Sequence, residues 1–185
     1  MTPPLVRLAD PDTDATAVAT IYRPAVESSL ATFEEIVPDG AEMGERIRST
    51  LARTPWLVAA DEDGSVIGYA YASNHRERAG YRWSVDVSVY VDPGSQGRGV
   101  GRALYDVLLD LLRRQRFVNA FAGIALPNDA SVALHQAVGM VRIGVYPQVG
   151  YKHGHWVDVA WFGMRLLDPD APPAEPIPLP LLDGA

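Results

Sequence analysis

The sequence predicts an α/β (α+β) fold with about seven strands and about four helices, and three observations support this class. Segments with strand periodicity and segments with helical periodicity follow one another along most of the chain. Two strand segments flank "DEDG", which is typical of a hairpin turn. A further strand segment leads through the glycine-rich "DPGSQGRGVG" directly into an amphipathic helix.

The length of 185 residues, 48% of them hydrophobic, suits one domain with a sizeable core. We expect this domain at residues 1–167, followed by a proline-rich tail at residues 168–185. The tail sequence "DPDAPPAEPIPLPLLDGA" is expected to run extended over the surface or to stay disordered.

The first half of the chain supplies a strand, two helices and the hairpin. "LVRLAD" is predicted as a short strand and "PDTDATAVATIYRPAVES" as a helix, which Pro24 is expected to bend or shorten. A second helix is predicted at residues 41–53, where Met43, Ile47 and Leu51 have helical spacing. "WLVAA" and "SVIGYAYAS" are the two strands of the hairpin.

The second half begins with a strand, the glycine loop and a helix. In "YRWSVDVSVYV" four valines alternate with polar residues, so the valines share one face of the strand. "VNAFAGIAL" is predicted as a buried strand, and "PNDASVALHQAVGM" as a helix with Asn128 or Asp129 near its N-cap and Gly139 as its stop. "VRIGVYP" and "WVDVAWFGMRL" are the closing strands.

Composition and charge exclude several functions. Because the chain has no Cys, disulfides, thiolate metal sites and a cysteine nucleophile are excluded. The net charge of −7 argues against nucleic acid as the main partner, since surfaces that bind phosphate backbones are usually basic. We find no secretory signal and no run of roughly 18 apolar residues, so we expect a cytoplasmic protein without a membrane partner.

The glycine-rich loop is predicted to bind a phosphate or pyrophosphate. Its backbone N–H groups converge at a helix N-terminus, where the helix dipole adds positive potential. The dinucleotide fingerprint does not fit, because Arg102 stands where its third glycine is required. The P-loop does not fit either, because Val100 and Gly101 stand in place of Lys and Ser or Thr. A glycine-rich turn without a ligand is the alternative.

What remains, Gln96-x-x-Gly99-x-Gly101, resembles the acetyl-CoA pyrophosphate loop of the GNAT acetyltransferase superfamily, whose order of elements is similar along most of the chain. The resemblance implies a mixed, mostly antiparallel sheet with a central splayed parallel pair, acetyl-CoA as co-substrate and no metal. The loop amides would bind the pyrophosphate, and the pantetheine arm would pair with the preceding strand. The implied cofactor-binding residues are Val89, Tyr90, Val91, Gln96, Gly97, Arg98, Gly99, Val100, Gly101, Arg102, Asn128 and Ser131.

A narrower resemblance covers about residues 6–166. It rests on "TPWLVAA", "YRWSVDVSVYV", "LPND" and "YKHGHW", which are similar to segments of phosphinothricin and methionine sulfoximine N-acetyltransferases. Most of the superfamily has a Tyr in the last helix that protonates the leaving thiolate, and His135 stands there in this chain. The subfamily usually has a Glu base where this chain has Asp86, which is shorter by about 1.5 Å.

The resemblance therefore implies Asp86 and His135 as catalytic residues, because a substrate ammonium must lose a proton before it attacks a thioester. Each has a structural alternative: Asp86 as a solvated or ion-paired strand residue, and His135 as a hydrogen-bonded core histidine. The resemblance also implies that Phe33, Arg78 and Tyr81 bind the acceptor, although Phe33 could equally belong to the core.

The implied function is acetyl transfer to the amino group of a small amino-acid analogue, such as phosphinothricin or methionine sulfoximine or sulfone, by a homodimeric enzyme. Two alternatives stay open. One is acetylation of another small amine or of protein lysine, and the other is a CoA-binding sensor with a decayed catalytic strand. His153 and His155 in "YKHGHW" make only a weak metal site, because a third ligand is missing.

Overall fold

The computed structural model describes residues 3–168 and 172–184 and contains one seven-stranded sheet. The strands are β1 (Leu5–Leu8), β2 (Trp56–Ala60), β3 (Val66–Asn74), β4 (Ser84–Val91), β5 (Asn119–Ala125), β6 (Val141–Lys152) and β7 (His155–Arg165). The helices are α1 (Ala15–Glu27), α2 (Gly40–Leu51), α3 (Val100–Arg114) and α4 (Asp129–Ala137). The sheet order is β1-β2-β3-β4-β5-β7-β6, and β4 and β5 form the parallel pair in an otherwise antiparallel sheet. The predicted fold class is confirmed.

The parallel pair is joined at one end and separates at the other. Residues 84–86 of β4 pair with residues 119–121 of β5, and no pairing between the two strands continues beyond this register. Both strands nevertheless extend further, β4 to Val91 and β5 to Ala125, while pairing with their outer neighbours β3 and β7. The separation leaves one backbone edge of each strand facing a gap.

Each face of the sheet carries its own core. The valines at the start of β4, Val85 and Val87, are buried with Leu104 and Leu108 of α3. The opposite face, which includes Tyr90 of β4, packs against α1 and α2 through a stack of aromatic rings. Alternation along β4 therefore sends consecutive side chains into two different environments.

Two predicted elements differ in extent from the structure. Pro24 was expected to bend or shorten helix α1, but the helix continues past it to Glu27. The Ser28 N–H and hydroxyl both donate to the Pro24 carbonyl at its end. Strand β6 runs five residues beyond the predicted end at Pro147. Because β6 is the sheet edge, a proline there costs no hydrogen bond on its solvent side, and irregular registers with β7 absorb the local distortion.

Residues 172–184 of the predicted tail run over the surface at one end of the sheet. The Trp83 indole N–H donates to the Ala174 carbonyl at 2.8 Å, and the backbone N–H of Ile177 donates to the Gln115 carbonyl at 2.8 Å. Leu179 is buried, at 4% exposure. The extended course is confirmed for residues 173–178, whereas Leu179–Leu181 form a 3-10 turn. Residues 169–171 and 185 lie outside the described part, and the domain boundary after residue 167 stays a prediction.

Candidate active site

The glycine loop has the conformation that its sequence requires. Gly97 and Gly99 have positive φ angles of 75° and 82°, which disfavour side chains, and Gly99 is the N-cap of α3. The Asp92 carboxylate accepts the Gly94 N–H at 2.9 Å and fixes the start of the turn. The first N–H groups of α3 have no acceptor within the helix, so they are available to an anion at this point.

A cleft of about 610 Å³ extends from this loop into the gap between β4 and β5. Helix α1 borders it on one face of the sheet, and helices α3 and α4 border it on the other. The structure brings eleven of the twelve sequence-predicted cofactor residues, together with His135, to this cleft: Val89, Tyr90, Val91, Gln96, Gly97, Gly99, Val100, Gly101, Arg102, Asn128 and Ser131. The exception is Arg98, which pairs with Asp61 at 3.1 Å on the neighbouring hairpin turn.

Helix α4 is held close to α3 on the cleft wall. A Cβ at Gly101 would lie 2.8 Å from the Leu134 side chain, so only glycine allows this approach without a shift. The Arg102 guanidinium donates to the Ala137 carbonyl at 2.9 Å. Asn128 caps α4, with its side-chain oxygen accepting the Ser131 N–H at 3.1 Å. These contacts set the width of the cleft beside the loop.

His135 is buried with both ring nitrogens hydrogen-bonded. Nδ1 lies 2.7 Å from the Ser131 carbonyl oxygen, which can only accept, so Nδ1 carries the hydrogen. Nε2 of the neutral ring then accepts from the Tyr105 hydroxyl at 2.9 Å. Burial lowers the pKa of His135 and favours this neutral form. The contacts are those of the hydrogen-bonded core histidine, although the residue also borders the cleft.

Asp86 lies on the other face of the sheet from His135. It points away from the valines that pack on α3, and it is the neighbour in sequence of the cleft residues Val87 and Ser88. The structure therefore does not bring the two predicted catalytic residues onto one face; they lie on opposite sides of the sheet. Burial raises the pKa of Asp86, and a hydrogen bond from His75 opposes that shift.

His75 was not among the sequence-predicted site residues. Its Nδ1 lies 2.6 Å from Oδ1 of Asp86. The antiparallel register of β3 and β4 places Ser73 opposite Asp86, and His75 follows on the same face two residues later. The alternation along β3 and β4 places His75 and Asp86 on particular faces. The two can be assigned to the same face only when the register between these strands is known.

Aromatic rings surround the His75–Asp86 pair. The His75 ring lies 4.7 Å from Phe121, 5.9 Å from Tyr81 and 6.2 Å from Trp161, measured between ring centroids. Phe121 stands directly opposite Asp86 in the parallel register. Tyr81 was predicted as a substrate residue, whereas Phe121 and Trp161 were missed. This face of the sheet thus offers a carboxylate within an apolar, aromatic surface.

The other predicted substrate residues lie at the surface. Phe33 is 41% exposed and lies across Gly150 of β6, where a Cβ would come within 2.2 Å of the ring. Its exposure argues against the core alternative. Arg78 is exposed and is the N-cap of the short 3-10 turn that ends at Tyr81. The structure thus places Tyr81 beside His75 and Arg78 on the same loop.

Neither metal nor membrane features were found in the described part of the chain. Within residues 3–168 and 172–184, no three His, Asp or Glu side chains converge as metal ligands. In the same residues no helix combines the length and the apolar character that a membrane span needs.

Comparison with known proteins gives concordant results. Residues 9–161 match the family model for the acetyltransferase (GNAT) domain. Phosphinothricin N-acetyltransferase from Alcaligenes faecalis is 40% identical over 149 residues, which cover 80% of this chain and 75% of the relative. The L-methionine sulfoximine/L-methionine sulfone acetyltransferase of Salmonella typhimurium is 36% identical over 171 residues, covering 91% of this chain and 98% of the relative.

A solved structure shares the fold closely. The GNAT superfamily phosphinothricin acetyltransferase from Sinorhizobium meliloti, crystallised in complex with AcCoA, superposes with a TM-score of 0.87 at 36% identity. The superposition covers 95% of this chain and 94% of that chain.

Proposed function

Because the chain belongs to the GNAT acetyltransferase family, and is an acyltransferase on that ground, we propose that it acetylates the amino group of a small amino-acid analogue with acetyl-CoA. Phosphinothricin and methionine sulfoximine or sulfone are the acceptors for which its relatives are named. The observation that carries the proposal is a partly buried carboxylate, Asp86, on β4 next to the splayed gap that leads to the glycine loop. Acetylation removes the ammonium charge of such an analogue, which would detoxify it.

The cleft fits acetyl-CoA in three ways. Gly97 and Gly99 leave open space where side chains would stand, so an anion can approach the backbone closely. The N–H groups at the start of α3 receive the pyrophosphate. The free edge of β4 at Val89, Tyr90 and Val91 pairs with the amide-containing arm as an added strand would.

Asp86 acts as the base in this proposal. Its carboxylate accepts a proton from the acceptor ammonium, and the free amine then attacks the thioester carbonyl carbon. The Val89 or Tyr90 N–H stabilises the oxyanion that forms. The carbon–nitrogen bond forms first, and the carbon–sulfur bond of the tetrahedral intermediate then breaks, so that the CoA thiolate leaves with the electron pair. The nitrogen releases its second proton to solvent as it becomes an amide nitrogen, and the thiolate takes up one proton. No acyl-enzyme is needed.

His135 is the candidate donor for that last proton. It borders the cleft on the α4 side, opposite the face from which Asp86 acts. In the present contacts its Nδ1–H is held by the Ser131 carbonyl, with the Ser131 hydroxyl 3.3 Å away. Donation therefore requires this bond to open or the Ser131 hydroxyl to relay the proton to the sulfur. The ring has only this one N–H, so the proton that the amide nitrogen releases must return to the ring through solvent.

The acceptor is tested by measuring CoA release with phosphinothricin, methionine sulfone, a lysine peptide and simple amines. We expect turnover with the amino-acid analogues and loss of turnover in Asp86→Asn. Preferential turnover of the lysine peptide would replace the proposed acceptor with protein lysine. Acetyl-CoA binding without any product would support the sensor alternative.

We also propose a cytoplasmic homodimer that forms through the edge strand β6. The stretch from Ile143 to Tyr151 has no charged residue, so charge does not protect this exposed edge from pairing with another chain. Large apolar side chains are exposed along β6, namely Val141, Ile143, Tyr146, Val149 and Tyr151. Light scattering should give about twice the chain mass of 20.1 kDa, and Val149→Lys should give the single mass.

A further inference from the structure

We infer that His75 is a positioning residue for Asp86: it holds Oδ1 through an Nδ1–H bond so that Oδ2 faces the amine of the acceptor. The inference deepens the proposed function and rests on it. It assigns a part in the reaction to a residue that contacts neither the cleft nor the glycine loop.

The bond between the two side chains is short and partly shielded. Nδ1 and Oδ1 are 2.6 Å apart, and the side chains are 16% exposed for His75 and 25% exposed for Asp86. Among the residues that the structure describes, Oδ2 has no hydrogen-bond partner. One carboxylate oxygen is therefore anchored while the other can accept a proton.

The orientation of the His75 ring is itself fixed by packing. Phe121 lies on one side of it, Tyr81 approaches edge-on, and Trp161 stands nearly perpendicular at 87°. A ring held in this way presents Nδ1 in one direction, so the hydrogen bond costs little side-chain entropy. Preorganisation of this kind suits a short aspartate, whose reach toward an acceptor is set by its single free torsion beyond Cβ.

The charges around Asp86 explain what the bond does to its protonation. The titratable and charged groups that face it are His75 and Arg76, which follow β3, Tyr71 of β3, and Tyr81 of the loop beyond. His75 and Arg76 oppose the rise in the Asp86 pKa that burial causes. Strand β5 contributes only the Phe121 ring. Removing the hydrogen bond should therefore raise the Asp86 pKa further.

A matched pair of variants separates hydrogen bonding from packing. His75→Asn keeps an N–H donor near the Nδ1 position without the ring, and His75→Phe keeps the ring without the donor. We expect His75→Phe to lower kcat/KM for methionine sulfone about 10-fold or more and to move the acidic limb of its pH profile to higher pH. His75→Asn should stay within about 3-fold of wild type, and acetyl-CoA binding should be unchanged in both.

Nitrogen-detected NMR of the imidazoles gives a readout that needs no turnover. The chain has four His residues, so the signals can be assigned with single variants. We expect His75 to carry its hydrogen on Nδ1 in wild type and to change tautomer population in Asp86→Asn.

The outcomes distinguish the inference from the function on which it rests. The inference is overturned if wild type is active and His75→Phe matches it, if Asn is impaired while Phe is not, or if the hydrogen lies on Nε2. Absence of turnover in wild type with every acceptor would instead overturn the proposed function. An Nδ1 hydrogen detected by NMR would in that case still show the hydrogen bond between His75 and Asp86.

Discussion

At the scale of single residues, neighbours on one strand have opposite surroundings. Val85 and Val87 enter a dry core, whereas Asp86 between them meets His75 and a ring of aromatic side chains. The alternation that hides the valines is therefore also what holds a carboxylate at the gap between β4 and β5. Its partial burial raises the pKa of Asp86, as expected for a base tuned toward neutrality.

Replacing Asp86 with Asn tests the base directly. We expect kcat/KM for the acceptor to fall about 10²-fold or more with acetyl-CoA binding retained, because the amide keeps shape but cannot accept the proton. Asp86→Glu should retain substantial activity.

The pH dependence of activity also tests the role of Asp86 as the base. Only the ionised carboxylate accepts a proton, so activity in wild type should rise as the pH rises through the raised pKa of Asp86. This limb should be absent in Asp86→Asn. For stability, a raised pKa means that the native state binds the proton more tightly than the unfolded state. The free energy of unfolding therefore falls as the pH rises from the ordinary pKa of the carboxyl through its raised pKa in the native state, and the Asn variant should lack this fall. An unchanged pH profile in Asp86→Asn, combined with an inactive His135→Ala, would move the base role to His135.

At the scale of elements, periodicity predicted each strand and helix, but contacts between elements needed the structure. The extension of β6 was missed because Pro147 resembles a terminator, and only its edge position makes it harmless. Phe121 and Trp161 were missed because a strand pattern does not say which face meets the carboxylate. The glycine loop was predictable because its positive φ angles require glycine at Gly97 and Gly99.

Gly99→Val should raise the acetyl-CoA KM strongly. A β-branched residue at φ 82° is strained by about 1–3 kcal/mol, and its side chain would enter the space expected for the pyrophosphate. Gly154→Val in the β6–β7 turn is the matched control, because Gly154 also has a positive φ of 80° but lies outside the cleft. The control should lose stability without a change in KM; equal KM effects in the two variants would contradict the loop assignment.

At the scale of the whole molecule, residues 172–184 tie the end of the chain to the start of β4 and to α3. Gln115 is fully buried, and its side-chain amide donates to the carbonyls of Ile177 and Arg53 at 2.8 Å each. Composition alone predicted a segment that is extended or disordered, but it could not indicate that a distant glutamine would bind it. The docked segment also carries the Glu175 carboxylate that pairs with Arg82, beside the loop of Tyr81.

Leu179→Ala measures the contribution of this docking to stability. Truncation of a buried leucine should cost about 2–3 kcal/mol, or roughly 5–10 °C in Tm for a domain of this size. Leu181→Ala is the control, because Leu181 is 72% exposed and its truncation should cost no more than about 0.5 kcal/mol. Equal melting temperatures for the two variants would show that the segment does not stabilise the fold in solution.

Acetyl-CoA should couple the parts of the molecule that border its cleft. The cleft is bordered by α1, β4, β5, α3 and α4, so a ligand bound there contacts elements from both faces of the sheet and stabilises the native state by mass action. At about 100 times its Kd the gain is about 2.7 kcal/mol, which corresponds to roughly 5–10 °C in Tm. The shift should persist in Asp86→Asn, whose side chain lies outside the cleft, and should shrink in Gly99→Val at the same concentration. A calorimetric titration without binding heat, together with an unmoved Tm, would mean that the loop and the splayed strands do not bind this co-substrate.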